Sequence, residues 1–232
     1  MSLWIKICGN TSLADAQLAA EAGTPADGSS PAGKGADAVG FVFAPSPRRV
    51  TPEQVAAIVP QLPATLEKIG VFVDADLHEI TSIVERCGLT GVQLHWDAPR
   101  DLPIRLRMRF GPRMRILRVV YSDGGGATAA FSPQSATSVD AILIDSHTTY
   151  AAGGTGVMFD WSAAKEALFQ NPSVRQRLIA AGGLTPNNVA SAVKTLRPWG
   201  VDVVSGVESA PGRKDADKVR AFIANARAAE AP

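Results

Sequence analysis

Short runs of apolar and β-branched residues recur along the chain and alternate with segments that have the hydrophobic spacing of helices. The runs are apolar without strict alternation, which is typical of parallel strands buried on both faces. Eight runs are found, at residues 3–8, 38–43, 69–73, 91–94, 116–121, 141–144, 178–181 and 201–204. Eight strand–helix units in 232 residues predict an α/β fold, a single (β/α)8 or TIM barrel over residues 1–232, rather than an open doubly wound sheet.

Helix signals lie between the predicted strands. Two threonine–proline pairs, at 51–52 and 185–186, each place a cap residue before a proline at the first helical position. Asp76 can cap a further helix that Gly88 ends. Other helices are predicted over residues 161–169 and 216–228.

Two segments, residues 23–35 and 121–138, interrupt the pattern and are predicted to be flexible surface loops, because they are rich in small and polar residues. Within the first, residues 28–35 have the pattern G-x-x-x-x-G-K-G, which is close to a nucleotide-binding P-loop. This motif lacks the serine or threonine that meets magnesium, and it precedes a strand, whereas a P-loop follows one. The segment therefore does not predict a nucleotide site.

The composition predicts a large core, since 46% of the residues are hydrophobic. The 23 lysines and arginines nearly balance the 22 aspartates and glutamates, so the formal net charge is +1. This balance argues against a nucleic-acid-binding surface, and a small phosphorylated ligand would have to be held by a few local donors. No apolar run reaches the roughly 18 residues of a membrane span, so no membrane contact is expected.

The two cysteines, Cys8 and Cys87, have neither metal-site spacing nor the pattern of a disulfide framework. Cys87 falls at helical spacing with apolar residues, which indicates a core thiol. The chain starts directly with a strand rather than a secretory signal, so a cytoplasmic setting is the default expectation. No long exposed apolar stripe stands out, so we expect a monomer, with a homodimer as the alternative.

Glycines follow the last three predicted strands. Glycine lets backbone N–H groups approach an anion closely, and loops after the seventh and eighth strands often bind phosphate in barrels. Any one of these glycines could simply serve a tight turn, but their joint position favours a phosphate site. The candidates are Gly153 and Gly154, Gly182 and Gly183, and Ser205 with Gly206.

Cys8 and Asp145 end the first and sixth predicted strands and are the candidate proton-transfer pair, because barrel active sites lie at the carboxyl ends of strands. A thiol with a lowered pKa can act as a base, and a desolvated carboxyl can act as an acid. Taken alone, Cys8 could equally be a packing residue and Asp145 a cap. Lys6 shares a face with Cys8. Gln93 and His95 end the fourth strand as further binding candidates, although a histidine there more often has a structural role.

The strand-end motifs form an ordered set, K-I-C-G at 6–9, G-F-V-F at 40–43 with S-P-R at 46–48, Q-L-H at 93–95, L-I-D-S at 143–146, G-G-T-G at 153–156, F-D-W at 159–161, A-G-G-L at 181–184 and V-S-G-V-E at 204–208. Each motif is weak alone. Together they resemble the phosphoribosylanthranilate isomerase family over about residues 4–222.

The resemblance implies an Amadori rearrangement of N-(5′-phosphoribosyl)anthranilate in tryptophan biosynthesis, without metal or redox cofactor. It implies that Asp145 is the general acid, which protonates the furanose ring oxygen, and that Cys8 is the general base, which removes the C2′ proton. By similarity, Arg48 would face the anthranilate carboxylate. Backbone N–H groups would hold the phosphate near Gly154, Gly183 and Gly206.

Two features depart from the family pattern. Residues 23–35 form an insertion before the second strand, and Trp96 follows His95 where the family commonly has glycine. Asp202, within the eighth strand, matches a family position, which implies a supporting role. Arg49 is expected to be solvated.

Two alternatives remain at this stage. The first is a related barrel such as the histidine-pathway isomerase, which carries an aspartate after the first strand where this chain has Cys8. The second is a barrel that binds a phosphorylated ligand without catalysis. Cys8 and Asp145 argue against a binding protein, because binding alone requires neither group.

Overall fold

Eight parallel strands form a closed barrel in the computed structural model, which describes residues 2–23, 34–95, 98–121, 138–145, 165–170 and 176–230. The strand order follows the chain, and β1 closes the ring against β8 with Ile5 opposite Val201. The strands are β1 (Trp4–Ile7), β2 (Ala38–Val42), β3 (Glu67–Phe72), β4 (Gly91–Leu94), β5 (Arg115–Tyr121), β6 (Ala141–Asp145), β7 (Arg177–Ala180) and β8 (Gly200–Val203). The predicted (β/α)8 barrel is confirmed, and its strand bounds differ from the prediction by at most two residues.

Helices alternate with the strands, and several of their predicted bounds are confirmed. At one start, Thr51 accepts a hydrogen bond from the Gln54 backbone at 3.3 Å, and the Gln54 side chain accepts one from the Thr51 backbone at 2.8 Å. At another, Asp76 accepts from the Glu79 backbone at 2.8 Å, and that helix ends at Gly88 with φ +66°. The described helices are α1 (Leu13–Glu21), α2 (Pro52–Ile58), α3 (Leu77–Cys87), α4 (Leu102–Phe110), α5 (Val189–Leu196) and α6 (Ala216–Ala228). None of these helices is long and apolar enough to cross a membrane.

The predicted helix start at Thr185 and Pro186 is wrong, because α5 begins only at Val189. The Asn188 side chain accepts a hydrogen bond from the Thr185 backbone N–H at 2.7 Å and donates one to the Gly183 carbonyl at 2.9 Å. These bonds stabilise a turn over residues 185–188. Proline at position 186 is compatible with a turn as well as with a helix start, so the local pattern did not distinguish them.

Three predicted segments lie largely outside the described residues. The helix predicted over 161–169 is described only at Lys165–Phe169, as a single π-helical turn. The loops predicted at 23–35 and 121–138 are described only at their ends, so their flexibility stays a prediction. At one end Gly35 packs against α1 so closely that a Cβ atom there would lie 2.1 Å from the Ala20 carbonyl oxygen.

An antiparallel hairpin that was not predicted follows β8. A 3-10 turn (Ser205–Val207) leads into β9 (Glu208–Ala210), which pairs with β10 (Arg213–Lys214). The hairpin turns at Gly212, whose φ of +79° is in the left-handed region that favours glycine. After the β9–β10 hairpin the chain is again close to the carboxyl ends of β8 and β1, and α6 then begins.

Two layers of apolar side chains form the core. The larger layer fills the space between the strands and the helices. The smaller layer fills the barrel itself, where Trp4, Ile69, Leu117, Leu143 and Ile179 pack together. The interior below the carboxyl ends of the strands is therefore solid, as in other closed barrels of this size, and chemistry is confined to the layers above it.

Candidate active site

The alternation of side chains along the strands brings the candidate catalytic residues to one end of the barrel. Residues two apart on a strand share a face. Trp4 packs inside the barrel, so the next inward positions on the same face are Lys6 and then Cys8, just beyond the end of β1. Across the ring, Leu143 is inside, and Asp145, the last residue of β6, shares its face. Cys8 and Asp145 therefore both lie at the carboxyl end of the barrel.

The Cys8 thiol is buried in a space that depends on glycine at position 40, and glycine at position 9 leaves room for Arg48 beside it. Cys8 is only 3% exposed, and its backbone N–H donates to the Val203 carbonyl at 2.9 Å. A Cβ atom at Gly40 on the neighbouring strand would lie 2.5 Å from Cys8 Sγ, so a larger residue there would displace the thiol. Gly9 has φ +73°, and a Cβ atom there would lie 2.8 Å from Arg48 Cδ. Glycine at these two positions lets the thiol and the Arg48 side chain approach the strand end.

A buried hydrogen-bond network lies directly below Cys8. The Lys6 ammonium donates to Gln93 Oε1 and to Asp202 Oδ1, each at 2.9 Å, and all three residues are buried. Burial by itself would lower the pKa of Lys6, but the charge of Asp202 and the neighbouring Cys8 thiol outweigh it, so the pKa is raised. Lys6 therefore stays charged, and a direct role for Lys6 and Gln93 in substrate binding stays a prediction.

The surroundings of Cys8 act on its ionisation in opposite directions. Burial raises the pKa of the Cys8 thiol, and the charge of Asp202 adds to that effect. The ammonium groups of Lys6 and Lys214 lower this pKa, but not enough to reverse the shift. The unliganded protein therefore holds Cys8 as a thiol, with two cations placed to stabilise a thiolate once one forms.

Arg48 forms a bidentate ion pair at the rim of this end of the barrel. Its Nε and Nη2 atoms donate to the two carboxylate oxygens of Glu208, at 2.8 and 2.7 Å. Burial favours the protonated form of Glu208, but Arg48 and Lys214 outweigh it, so the pKa of Glu208 is lowered. Arg48 was predicted to bind substrate, and this pair holds its guanidinium in a defined orientation. The neighbouring Arg49 is exposed, as expected.

Lys214, which the sequence analysis did not single out, joins the two parts of the site. Its fully buried ammonium donates to the Cys8 carbonyl at 2.5 Å and to the Val204 carbonyl at 3.2 Å, and lies 3.3 Å from Glu208 Oε1. Glu208 belonged to a recognised motif but had no assigned role. No local sequence signal marks Lys214, because 206 positions separate it from Cys8 along the chain.

His95 is held by an aromatic neighbour. A hydrogen bond of 2.7 Å joins His95 Nδ1 to the Tyr121 hydroxyl, and the two rings lie 5.8 Å apart at an angle of 54°. The His95 backbone N–H also donates to the Phe72 carbonyl at 3.2 Å. These contacts fix the ring at the ends of β4 and β5, and its contact with substrate stays a prediction.

The loops after β7 and β8 meet at the same end of the barrel. Gly182 and Gly183 have φ values of +77° and +63°, which require glycine at the first turn after β7. A Cβ atom at Gly206 would lie 1.9 Å from the Leu184 carbonyl oxygen, so the two loops are in direct contact there. Ser205 beside it is exposed. The structure thus brings together two of the three glycine-bearing strand ends.

The remaining predicted positions lie outside the described residues. They are Gly153 and Gly154, in the glycine-rich segment after β6, and their predicted places in the site are untested. Trp96, for which no role was predicted, also lies outside the described residues.

The fold is that of a (β/α)8-barrel enzyme, with the candidate catalytic side chains at the carboxyl ends of the strands, where such barrels have their active sites. The chain matches the family described as N-(5′-phosphoribosyl)anthranilate (PRA) isomerase over residues 5–225. It belongs to this family, and it is an isomerase of the aldose–ketose kind. The family assignment favours a phosphoribosylanthranilate isomerase over the two alternatives, the histidine-pathway isomerase and a non-catalytic binding protein.

Relatives match over nearly their whole length. The chain is 42% identical to the N-(5′-phosphoribosyl)anthranilate isomerase of Pelobacter propionicus, over 94% of this chain and 93% of the relative. The identity to the enzyme of Geobacter sulfurreducens is also 42%, over 96% and 98%. Among solved structures, the phosphoribosylanthranilate isomerase of Thermotoga maritima superposes with a TM-score of 0.81 at 35% identity, over 97% of this chain and 99% of that chain.

One solved relative carries a ligand. This phosphoribosylanthranilate isomerase was determined in complex with reduced 1-(o-carboxyphenylamino)-1-deoxyribulose 5-phosphate. It superposes on the present chain with a TM-score of 0.78 at 33% identity, over 97% of this chain and 99% of that chain.

We predict that Lys6→Met lowers the free energy of unfolding by about 3–5 kcal/mol, because it leaves the Asp202 carboxylate buried without its cation. Urea unfolding followed by tryptophan fluorescence measures this change. The matched control is Arg86→Met, since the Arg86–Glu53 pair is exposed by 54% and 60%, and its loss is expected to cost less than about 1 kcal/mol. Equal small effects of both variants would contradict the structural role given to the Lys6 charge.

Proposed function

We propose that the protein converts N-(5′-phosphoribosyl)anthranilate into 1-(2-carboxyphenylamino)-1-deoxyribulose 5-phosphate, with Cys8 as general base and Asp145 as general acid. The observation that carries the proposal is the placement of Cys8 at the end of β1, between two buried lysines, in a chain of this isomerase family. The ligand of the solved relative, a reduced form of the product, supports the choice of substrate.

The acid step opens the sugar ring. Asp145 donates its proton to the furanose oxygen, the bond from C1′ to that oxygen breaks, and the lone pair of the anthranilate nitrogen forms a protonated Schiff base with C1′. Asp145 lies at the end of β6 in a partly buried position. The step requires Asp145 in its protonated form, because a general acid must carry the proton that it donates.

The base step follows at the neighbouring carbon. Cys8, as the thiolate, removes the proton from C2′. The electron pair of that C–H bond forms the C1′=C2′ double bond, and the π electrons of the C1′=N bond return to the nitrogen, which gives a neutral enolamine. The enolamine tautomerises to the ketone. The electron pair moves within one molecule, so no external oxidant or reductant takes part in the step.

The order of the two steps suits the ionisation of Cys8. Burial favours the thiol in the unliganded protein, which by itself would make Cys8 a poor base. The protonated Schiff base adds a positive charge beside the thiol when the ring opens, and a nearby positive charge lowers a thiol pKa. Lys6 and Lys214 act in the same direction. The thiolate is therefore favoured at the point in the reaction where it is needed.

The two charged ends of the substrate have separate candidate binding groups. Backbone N–H groups near Gly183 and Gly206, joined by those predicted near Gly154, would hold the phosphate. Arg48 would bind the anthranilate carboxylate through Nη1, which makes no hydrogen bond to the part of the chain that the structure describes. Binding both ends orients the reacting carbons between Cys8 and Asp145.

The function is tested by complementation of a tryptophan auxotroph that lacks this isomerase step. We expect growth without tryptophan, together with loss of phosphoribosylanthranilate fluorescence in an assay with the purified protein. Folded protein that neither restores growth nor consumes this substrate would reject the proposed function. A matching assay with the histidine-pathway aminosugar phosphate measures whether activity extends to that substrate.

We predict that Cys8→Ser and Asp145→Asn each lower kcat by about 10²-fold or more, because each removes a proton-transfer group. The same fluorescence assay measures the loss. Cys87→Ser is the matched control, since Cys87 is a buried thiol on α3 that contacts the Pro52 carbonyl at 3.3 Å, away from the site. Near-normal turnover of either site variant would remove that residue from its assigned role.

We predict that Arg48→Ala mainly raises KM, because the anthranilate carboxylate loses its partner while Cys8 and Asp145 remain. Steady-state kinetics with varied substrate measures KM and kcat separately. The control is Arg49→Ala, which removes the adjacent exposed arginine and should leave both constants unchanged. An unchanged KM in Arg48→Ala would count against the proposed contact.

A further inference from the structure

The β9–β10 hairpin is anchored to the segment that carries Cys8. The Thr11 hydroxyl donates to the Gly212 carbonyl at 2.6 Å, and the Lys214 backbone N–H donates to Asp15 Oδ1 at 3.2 Å. Thr11 and Asp15 follow Cys8 by only a few residues, in the turn that starts α1. The hairpin and the end of β1 are therefore one packed unit, and the Lys214 side chain extends into it.

The Lys214 ammonium ties together the ends of two strands. Its bonds to the Cys8 and Val204 carbonyls join the residues that immediately follow β1 and β8, the strands that close the barrel. The bond of 2.5 Å to the Cys8 carbonyl fixes the backbone from which the thiol extends. A loss of this ammonium would remove the donor from the buried Cys8 carbonyl and from the partly buried Val204 carbonyl.

The charges around Cys8 differ in how far they are compensated. Lys6 of β1 is paired one-to-one with Asp202 of β8, so their charges largely cancel. Lys214 of β10 and Arg48, after β2, share the single carboxylate of Glu208, so this group has one net positive charge. Among the residues that the structure describes, the charges of Lys6, Asp202 and Lys214 act on the thiol, and the thiol in turn acts on Arg48. Asp145 lies across the barrel, at the end of β6.

We propose that Lys214 is a positioning residue for the reaction, which holds the Cys8 backbone in place and supplies a positive charge that favours the Cys8 thiolate. This inference rests on the proposed role of Cys8 as the base. It assigns a part in catalysis to a side chain that acts through Cys8 and is not itself placed against the substrate. Lys214 lowers the pKa of the Cys8 thiol, which supports the inference. Burial lowers the pKa of Lys214 itself, and the charges of Glu208 and Cys8 oppose that shift.

The direct test is a titration of the Cys8 thiol. The rate of alkylation by iodoacetamide is measured against pH in a Cys87→Ser background, so that Cys8 is the only thiol in the protein. In Lys214→Met we expect the midpoint to rise by about one pH unit, because a cation near the thiolate is lost. The matched control is Arg213→Met, an exposed cation on the same hairpin, which should leave the midpoint unchanged.

Steady-state kinetics gives a second readout. In Lys214→Met we expect a lower kcat, an unchanged KM, and an acid limb of the kcat profile that shifts upward with the thiol midpoint. A purely structural role would lower thermal stability without moving either the midpoint or the acid limb. A folded Lys214→Met variant with the parent midpoint would overturn the inference.

Lys214→Arg keeps the test decisive if Lys214→Met does not fold. Arginine retains the charge and the donors, but its larger planar group does not reproduce the ammonium contacts at 2.5 and 3.2 Å. We expect a thiol midpoint near that of the parent with a reduced kcat. Full turnover of Lys214→Arg would overturn the positioning role.

The outcomes separate this inference from the proposed function. A fully active Cys8→Ala variant would reject Cys8 as the base, whatever the titration of Lys214→Met shows. An inactive Cys8→Ala variant together with an unmoved thiol midpoint in Lys214→Met would leave the proposed function intact and reject only the role of Lys214.

Discussion

Buried charge pairs at the carboxyl end of the barrel are the interaction on which the rest of the site depends. Transfer of a charged group out of water costs several kcal/mol, so each buried ion must have a partner with good geometry. Lys6 meets Asp202 across the β1–β8 seam at 2.9 Å. The Lys214 ammonium meets Glu208, which in turn holds Arg48. These pairs form only when the barrel is closed and the hairpin is in place, so they tie the geometry of the site to the completion of the fold.

Cys8 lies near both the Lys6–Asp202 pair and the Lys214–Glu208–Arg48 group, and its surroundings have opposing effects on the pKa of its thiol. The apolar interior that stabilises the barrel disfavours a thiolate, while the lysines on either side favour one. A fully compensated set of charges would be the more stable arrangement, but it would leave a buried thiol without any reason to ionise. Under the roles proposed for Cys8 and Lys214, a surplus positive charge near the thiol would reconcile a packed interior with acid–base chemistry.

Much of the fold and part of the site could be predicted because the signals are local. Buried parallel strands are apolar throughout, and the cap at Thr51 and the end at Gly88 depend on residues within one helical turn. The start of α5 could not be predicted, because Asn188 uses its side chain for a turn that proline also permits. The β9–β10 hairpin was missed since its strands have only three and two residues.

The sequence by itself determined the number and order of strands, the positions of Cys8 and Asp145 at strand ends, and the resemblance to an isomerase family. Each of these follows from residue type and spacing along the chain. The tertiary structure alone decided that Lys6 pairs with Asp202 and Gln93, and that Lys214 bonds to the Cys8 carbonyl. The physical reason is that electrostatic and hydrogen-bond partners are set by distance in space rather than along the chain. Closure of the barrel brings Lys6 to Asp202, which is 196 positions away in sequence, and Lys214 to Cys8, which is 206 positions away.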